Sequence, residues 1–388
     1  MAKSRSHSNS ELIAPWDVVA PLLQVQAPSA IGQAGYFPIV SSPALATARP
    51  IFVVGSPRSG TSILTWCLGQ HSNIFVQEES DWIGPFAYQI DIAYRMGSAR
   101  GERSQLSALG IRREEFFAHF GQSITNLILD HRQSLEARLT AQHELGSLAV
   151  AKPAPTYAFQ IARSESDSKA RWVDGTPEYS LYIPPLRTLF PEARFVHITR
   201  NVTSVVHSIL NFERTGGPAL VSTEQQAYEY WLRTVRACLQ AERAYGSEIV
   251  CRIRHSDLIS HPEATIRRLL AFLDEPFEPS CLEPLRERIN SSGVPANFNP
   301  SDPGTNPAVI DEANRLNQEV MMAPMNITPD PAAAAHLEGS FNERSIYLAN
   351  LGSDHARSLE RIAKLQKKLD DVKAHGTGQE LVPPREQQ

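Results

Sequence analysis

Cysteine is scarce in this chain: four residues in 388, Cys67, Cys238, Cys251 and Cys281, with no two in a C-x-x-C pair. That excludes a disulfide-dense scaffold and a paired-thiol zinc or redox motif, and it leaves free thiols as the expectation. Long hydrophobic runs are missing too. No window approaches the roughly eighteen apolar residues of a membrane span, and MAKSRSHSNSELIAPW at the start holds no leader-like apolar segment. A cytoplasmic protein is expected. Nor does positive charge predominate: 37 Lys and Arg face 42 Asp and Glu, a net of −5. A broad nucleic-acid or anionic-membrane surface is therefore not expected, and any anion site has to be local. Histidine and carboxylate spacings do not suggest zinc, so no metal is expected.

What is present is concentrated in residues 51–62, IFVVGSPRSGTS, a short apolar strand running into a glycine-flanked basic loop. Gly55 and Gly60 allow a tight bend and close approach to an anion, and the N–H groups from Ser59 to Ser62 open the helix that follows. The spacing is that of a P-loop, but Thr61 stands where a nucleotide hydrolase has lysine, and the cation sits inside the loop as Arg58. Mg-nucleotide hydrolysis is thereby disfavoured.

Strand and helix signals alternate along the chain. Residues 60–70 read as a helix with Ile63, Leu64, Cys67 and Leu68 inward, and a helical insertion is expected from about 81 to 142. Short strands are expected at 148–152 and 171–173, stronger ones at 193–200 and about 249–254, and helices after 200, over 224–245 and over HPEATIRRLLAFL. The alternation predicts an α/β fold, a P-loop-like, mostly parallel sheet flanked by helices, with a helical insertion and a C-terminal helix. The expected layout is a flexible arm over 1–47, the α/β core over 48–295, a peripheral segment over 296–350, and a helix with tail over 351–388. In that last helix, over 354–374, Leu359, Ile362, Leu365, Leu369 and Val372 form a seam. It fits either a short coiled coil with a second copy or docking onto its own core.

The loop PRSGTS resembles the 5′-phosphosulfate loop of sulfotransferases that use 3′-phosphoadenosine 5′-phosphosulfate (PAPS), above all the bacterial and tyrosylprotein-type members. The resemblance implies that Arg58 contacts the 5′-phosphate and the migrating sulfuryl group, with Ser59, Gly60, Thr61 and Ser62 around the phosphate. PAPS carries a second phosphate on its ribose. ARFVHITRNVTSVVHSIL is similar to the family's 3′-phosphate element, which implies Arg200 and Ser208 as its ligands, with Ser204, one helical turn before Ser208, in reserve. By the same resemblance VQEES matches the segment that holds the catalytic glutamate of tyrosylprotein sulfotransferases. Glu79 is the nominated base and Glu78 the reserve, because adjacent residues can point in opposite directions.

RWVDGTPEY departs from the family pattern: Gly175 replaces a lysine carried by many members, while Asp174 and Thr176 either shape the cleft or form a plain turn. His255 takes the place of a common aromatic and is either an adenine-side contact or a structural strand-end histidine. Ser291 or Ser292 in INSSGVP either reaches phosphate or closes a turn. Trp82, Tyr88 and Tyr94 either line an acceptor site or belong to the core. The resemblance spans about 50–295 and implies sulfuryl transfer from PAPS to a hydroxyl acceptor, a carbohydrate, lipid, small molecule or peptide tyrosine, with PAP (3′-phosphoadenosine 5′-phosphate) released. Without a membrane anchor it points to a bacterial-type enzyme. The alternatives are a P-loop-like phosphotransferase, which Thr61 opposes, and a non-catalytic nucleotide-binding or assembly protein, to which Gly175 lends weight.

Overall fold

The computed structural model describes residues 48–77, 79–144, 168–212, 219–286 and 302–376, all within one unit, Leu45–Gln388. The arm over 1–47, Glu78, the strand expected at 148–152 and Ser291 and Ser292 lie outside the described residues. In chain order, β1 (Ile51–Gly55) leads into α1 (Thr61–Gly69) and then β2 (Ile74–Gln77). The expected insertion resolves into α2 (Ile83–Ser98), α3 (Gln105–Ala108) and α4 (Arg113–Glu144). β3 (Arg171–Asp174) and α5 (Ile183–Leu189) precede β4 (Arg194–Thr199), α6 (Val202–Leu210) and α7 (Glu224–Tyr245). The chain continues with β5 (Val250–Arg254), α8 (His255–Ser260), α9 (Pro262–Phe272), α10 (Pro307–Met322) and α11 (Pro331–Gly376).

The five strands form one sheet in the order β2-β3-β1-β4-β5, and every neighbouring pair is parallel. Strand alternation divides the core. Ile51, Val53, Ile74, Val76, Val196 and Ile198 face α1 and α9, while Phe52, Val54, Phe75, Trp172 and Phe195 face the side covered by α2, α4 and α5. Both faces are covered, which is why these strands read as nearly continuous apolar runs. Phe52 is the hub of the second face, with ring centroids of Trp172, Tyr179, Phe190 and Phe195 all within 6 Å.

Two buried polar clusters fasten the helices. Glu242 of α7 accepts from Arg252 of β5, through Nε at 3.1 Å and through a short contact with Nη2, and meets His197 Nδ1 of β4 at 2.5 Å. All three side chains are under 4% exposed. Buried Lys169 donates to the carbonyls of Gly69, His71 and Ile74, serving the C-terminal end of α1.

Two sequence expectations change. β2 has no counterpart among the sequence expectations, because four residues between a helix and a long helical stretch are too short to show their own period. The C-terminal helix begins at Pro331 rather than near 354, and the segment expected to be peripheral contributes to the core. Phe341 is 4% exposed with its ring 5.1 Å from that of Tyr88, and Ala333 and Leu337 pack beside it at four-residue spacing. Ala313 and Val320 of α10 are buried against α6 and α7. The later seam, from Leu359 to Val372, stays exposed.

Candidate active site

The site is built where β1 and β4 lie side by side. From β1 the sheet extends on one side through β3 to β2 and on the other through β4 to β5, so the loops after β1 and β4 face each other across a switch point. After β1, the Ser59 N–H donates to the Ser56 carbonyl at 3.1 Å, closing a turn in which Arg58 adopts φ 69° and Gly60 φ 107°. A left-handed arginine is strained by about 1–3 kcal/mol, and such strain persists only where neighbours impose it. Gly60 is obligatory here for two reasons. Its φ disfavours any side chain, and an added Cβ would lie 2.7 Å from Cδ2 of His255. Gly60 caps α1 without a side-chain bond, and the first intrahelical bond runs from Leu64 N to Gly60 O, so the N–H groups of Thr61, Ser62 and Ile63 remain at the positive end of the helix.

The two predicted arginines come together. Arg200, just past β4, donates from Nη1 to the Arg58 carbonyl at 3.1 Å. Arg58 donates from Nε to the Ser208 hydroxyl at 3.1 Å and lies 4.5 Å over the ring of Phe212. Burial, reinforced by Arg200, holds the Arg58 guanidinium below its ordinary pKa, against the raising pull of Glu79. Arginine stays charged all the same. Both arginines line a cavity of ≈ 590 Å³ together with Gly60, Thr61, Ser62 and Glu79. Ser59 and Ser208, each 1% exposed, do not line it, and Ser208 is placed to hold Arg58. Ser204 lies outside the lining too, its N–H capped by Asn201 at 3.3 Å.

Glu79 follows β2, and the turn behind it is held by the segment after β3. Ser80 N donates to Thr176 Oγ1 at 2.9 Å, the Ser80 and Tyr179 hydroxyls are 2.6 Å apart, and Ile83 N donates to the Tyr179 hydroxyl at 2.8 Å. Thr176 N in turn donates to Asp174 Oδ1 at 2.9 Å. Asp174 and Thr176 therefore shape the cleft by positioning the glutamate's turn. The Glu79 side chain is exposed, yet protein atoms crowd around its carboxyl and displace part of its hydration. That desolvation, with the like charges of Glu178, Asp81 and Asp174, raises its pKa to about 7 against the smaller pull of Arg58.

His255 lines the same cavity, and burial with the nearby Arg200 lowers its pKa to about 4, so at neutral pH it is a neutral imidazole. Gly175 is closed to side chains, since an added Cβ would stand 2.5 Å from Thr65 Oγ1. Sequence reasoning missed Glu178, in short contact with the Tyr230 hydroxyl, as well as Phe212 and Arg286, which also belong to the lining. Glu178 lies within RWVDGTPEY, directly after Gly175-Thr176-Pro177, and could have been nominated. Phe212 and Arg286 carry no local signal. Of the aromatics, Tyr88 is buried in the core and Trp82 is exposed, and neither lines the cavity.

Fold and site together define an α/β protein with a glycine-bearing basic loop at a helix start and two arginines at the switch point of a parallel sheet. A model of the sulfotransferase family matches residues 50–279, and this chain belongs to that family. Among curated relatives, a protein-tyrosine sulfotransferase of Drosophila melanogaster is 24% identical over 246 residues, 63% of this chain and 42% of the relative. A putative protein-tyrosine sulfotransferase of Caenorhabditis briggsae is 24% identical over 233 residues, 60% of this chain and 68% of the relative. The chain thus spans about two fifths of the fly protein's length. A solved sulfotransferase domain from the Synechococcus PCC 7002 olefin synthase is 19% identical, with a TM-score of 0.38 over 78% of this chain and 98% of that one. Among the described residues no helix is long and apolar enough to cross a membrane.

Proposed function

We propose that this sulfotransferase-family protein moves a sulfuryl group from PAPS to a hydroxyl acceptor and releases PAP. The observation that carries this reading is the convergence of Arg58, Arg200 and the start of α1 on one cavity, with the Glu79 carboxyl in the same lining. The residues present fit a donor with two phosphate groups: two cations from separate strand ends, N–H groups without an intrahelical acceptor at a helix start, and a left-handed Gly60 that turns the loop into that helix. PAPS supplies the sulfuryl group, whose S–O bond to the 5′-phosphate breaks as the acceptor oxygen bonds to sulfur.

The chain's residues divide the work. Arg58 and the N–H groups of Thr61 and Ser62 compensate negative charge on the departing phosphate. Arg200 holds the ribose phosphate, and Ser208 keeps Arg58 aimed through its 3.1 Å bond. Glu79 removes the acceptor proton, a task suited to a carboxylate whose pKa of about 7 lies near neutrality. Neutral His255 offers a hydrogen bond or a stacking face on the nucleotide side. Acceptors to be screened are carbohydrates, lipids, small hydroxyl compounds and tyrosine peptides, the last prompted by the names of the relatives. Titration calorimetry with PAP, ATP and Mg-ATP tests the donor: PAP is expected to bind best, and equal or tighter Mg-ATP binding would overturn the reading.

A further inference from the structure

A second cavity, of ≈ 200 Å³, opens beside Gly175 and shares Ser62 and Glu79 with the donor cavity. It is smaller than the roughly 300 Å³ at which pockets for drug-sized ligands begin, so it suits a compact group rather than a nucleotide. Gly175 and Thr65 pack directly against each other in its wall, where a Cβ on Gly175 would stand 2.5 Å from Thr65 Oγ1. Because Glu79 belongs to both linings, an acceptor hydroxyl presented to Glu79 sits at their junction. A compact group attached to that hydroxyl is within reach of the small cavity.

The lining specifies the chemistry of that group. No Lys, Arg or His contributes to it, and its one formal charge is Glu79. Among the described residues Gln77 makes no side-chain hydrogen bond, so its amide oxygen is available as an acceptor. Thr65 donates its hydroxyl proton to the Thr61 carbonyl at 2.9 Å, which leaves the hydroxyl oxygen as an acceptor as well. The indole of Trp66 adds a surface of the kind that attracts cations. Glu178, Asp81 and Asp174 lie close enough to act on Glu79 with the same sign, each more strongly than Arg58 acts on it with the opposite one. Three acceptors, an indole and an excess of negative charge complement a cation.

Resting on the sulfotransferase reading, we infer that the cavity beside Gly175 receives a protonated amine of the acceptor, and that the preferred acceptors are amino alcohols or amino sugars. The ammonium lies a few bonds from the reacting hydroxyl, donating to Glu79, Gln77 and Thr65 in place of water. N-acetylation abolishes the charge and enlarges the group beyond the space beside Gly175.

The test is a transfer assay with labelled PAPS on matched acceptors: glucosamine, N-acetylglucosamine and glucose, together with a neutral and an acidic tyrosine peptide. PAP calorimetry runs in parallel. Glucosamine is expected to exceed glucose and N-acetylglucosamine by roughly tenfold in kcat/KM, the worth of a charge-assisted hydrogen bond. Gln77→Leu should narrow that ratio several-fold while the Kd for PAP stays unchanged. If PAP binds and neutral sugars or peptides are sulfated as well as glucosamine or better, the amine inference fails and the donor reading stands. If PAP does not bind and no acceptor is labelled, both fail.

Discussion

Replacing Glu79 by glutamine separates a proton acceptor from a group that merely shapes the cavity. The carboxyl's pKa of about 7 results from poor hydration and three like charges, and only the ionised form can take a proton. In the wild type, kcat/KM should therefore fall about tenfold per pH unit below about 7 and level off above it. The Glu79→Gln variant keeps the size and one acceptor oxygen but has no basic form, so turnover should drop by about 10² to 10⁴ and the acid limb should disappear. PAP affinity should hold or improve, because the variant removes a negative charge from the donor cavity. Stability supplies an independent sign. A carboxyl whose folded pKa exceeds its unfolded value binds protons more tightly when folded, so it lowers stability as pH rises from about 4.5 to about 7. The glutamine variant should accordingly gain Tm relative to wild type above pH 7 and match it near pH 4. Single-turnover assays with labelled PAPS, PAP calorimetry and thermal melts at the two pH values measure all three. A glutamine variant that keeps wild-type turnover would remove Glu79 from the chemistry.

Three further outcomes follow from particular contacts. Gly60→Ala has to hold φ 107° and bring a Cβ to 2.7 Å from the His255 ring, which should cost about 2–4 kcal/mol in urea denaturation and weaken PAP binding. Glu242→Ala leaves buried Arg252 without its carboxylate and should cost about 3–5 kcal/mol, whereas PAP affinity measured on the folded fraction should be retained. Truncation after residue 350 keeps Phe341 and removes the exposed seam, so urea stability should change by less than about 0.5 kcal/mol, and a fall in the mass measured by light scattering beyond the lost residues would identify the seam as a self-association surface.

Local chemistry made much of this protein legible from its residues. Gly55 and Gly60 permit a turn that few other residues adopt, and apolar strands alternating with amphipathic helices leave a covered parallel sheet as the natural outcome. The pairing of Glu79 with VQEES was legible only through resemblance. Tertiary structure decided the rest, because it depends on contacts between residues far apart in the chain. It brought Arg200 onto the Arg58 carbonyl across 142 positions, turned Ser208 toward Arg58 rather than the cavity, and set Glu178 and Asp174 close enough to raise Glu79. It also paired β2 with β3 and drew Phe341 against Tyr88, since a four-residue strand and a helix within a polar stretch become stable only when a partner surface covers them.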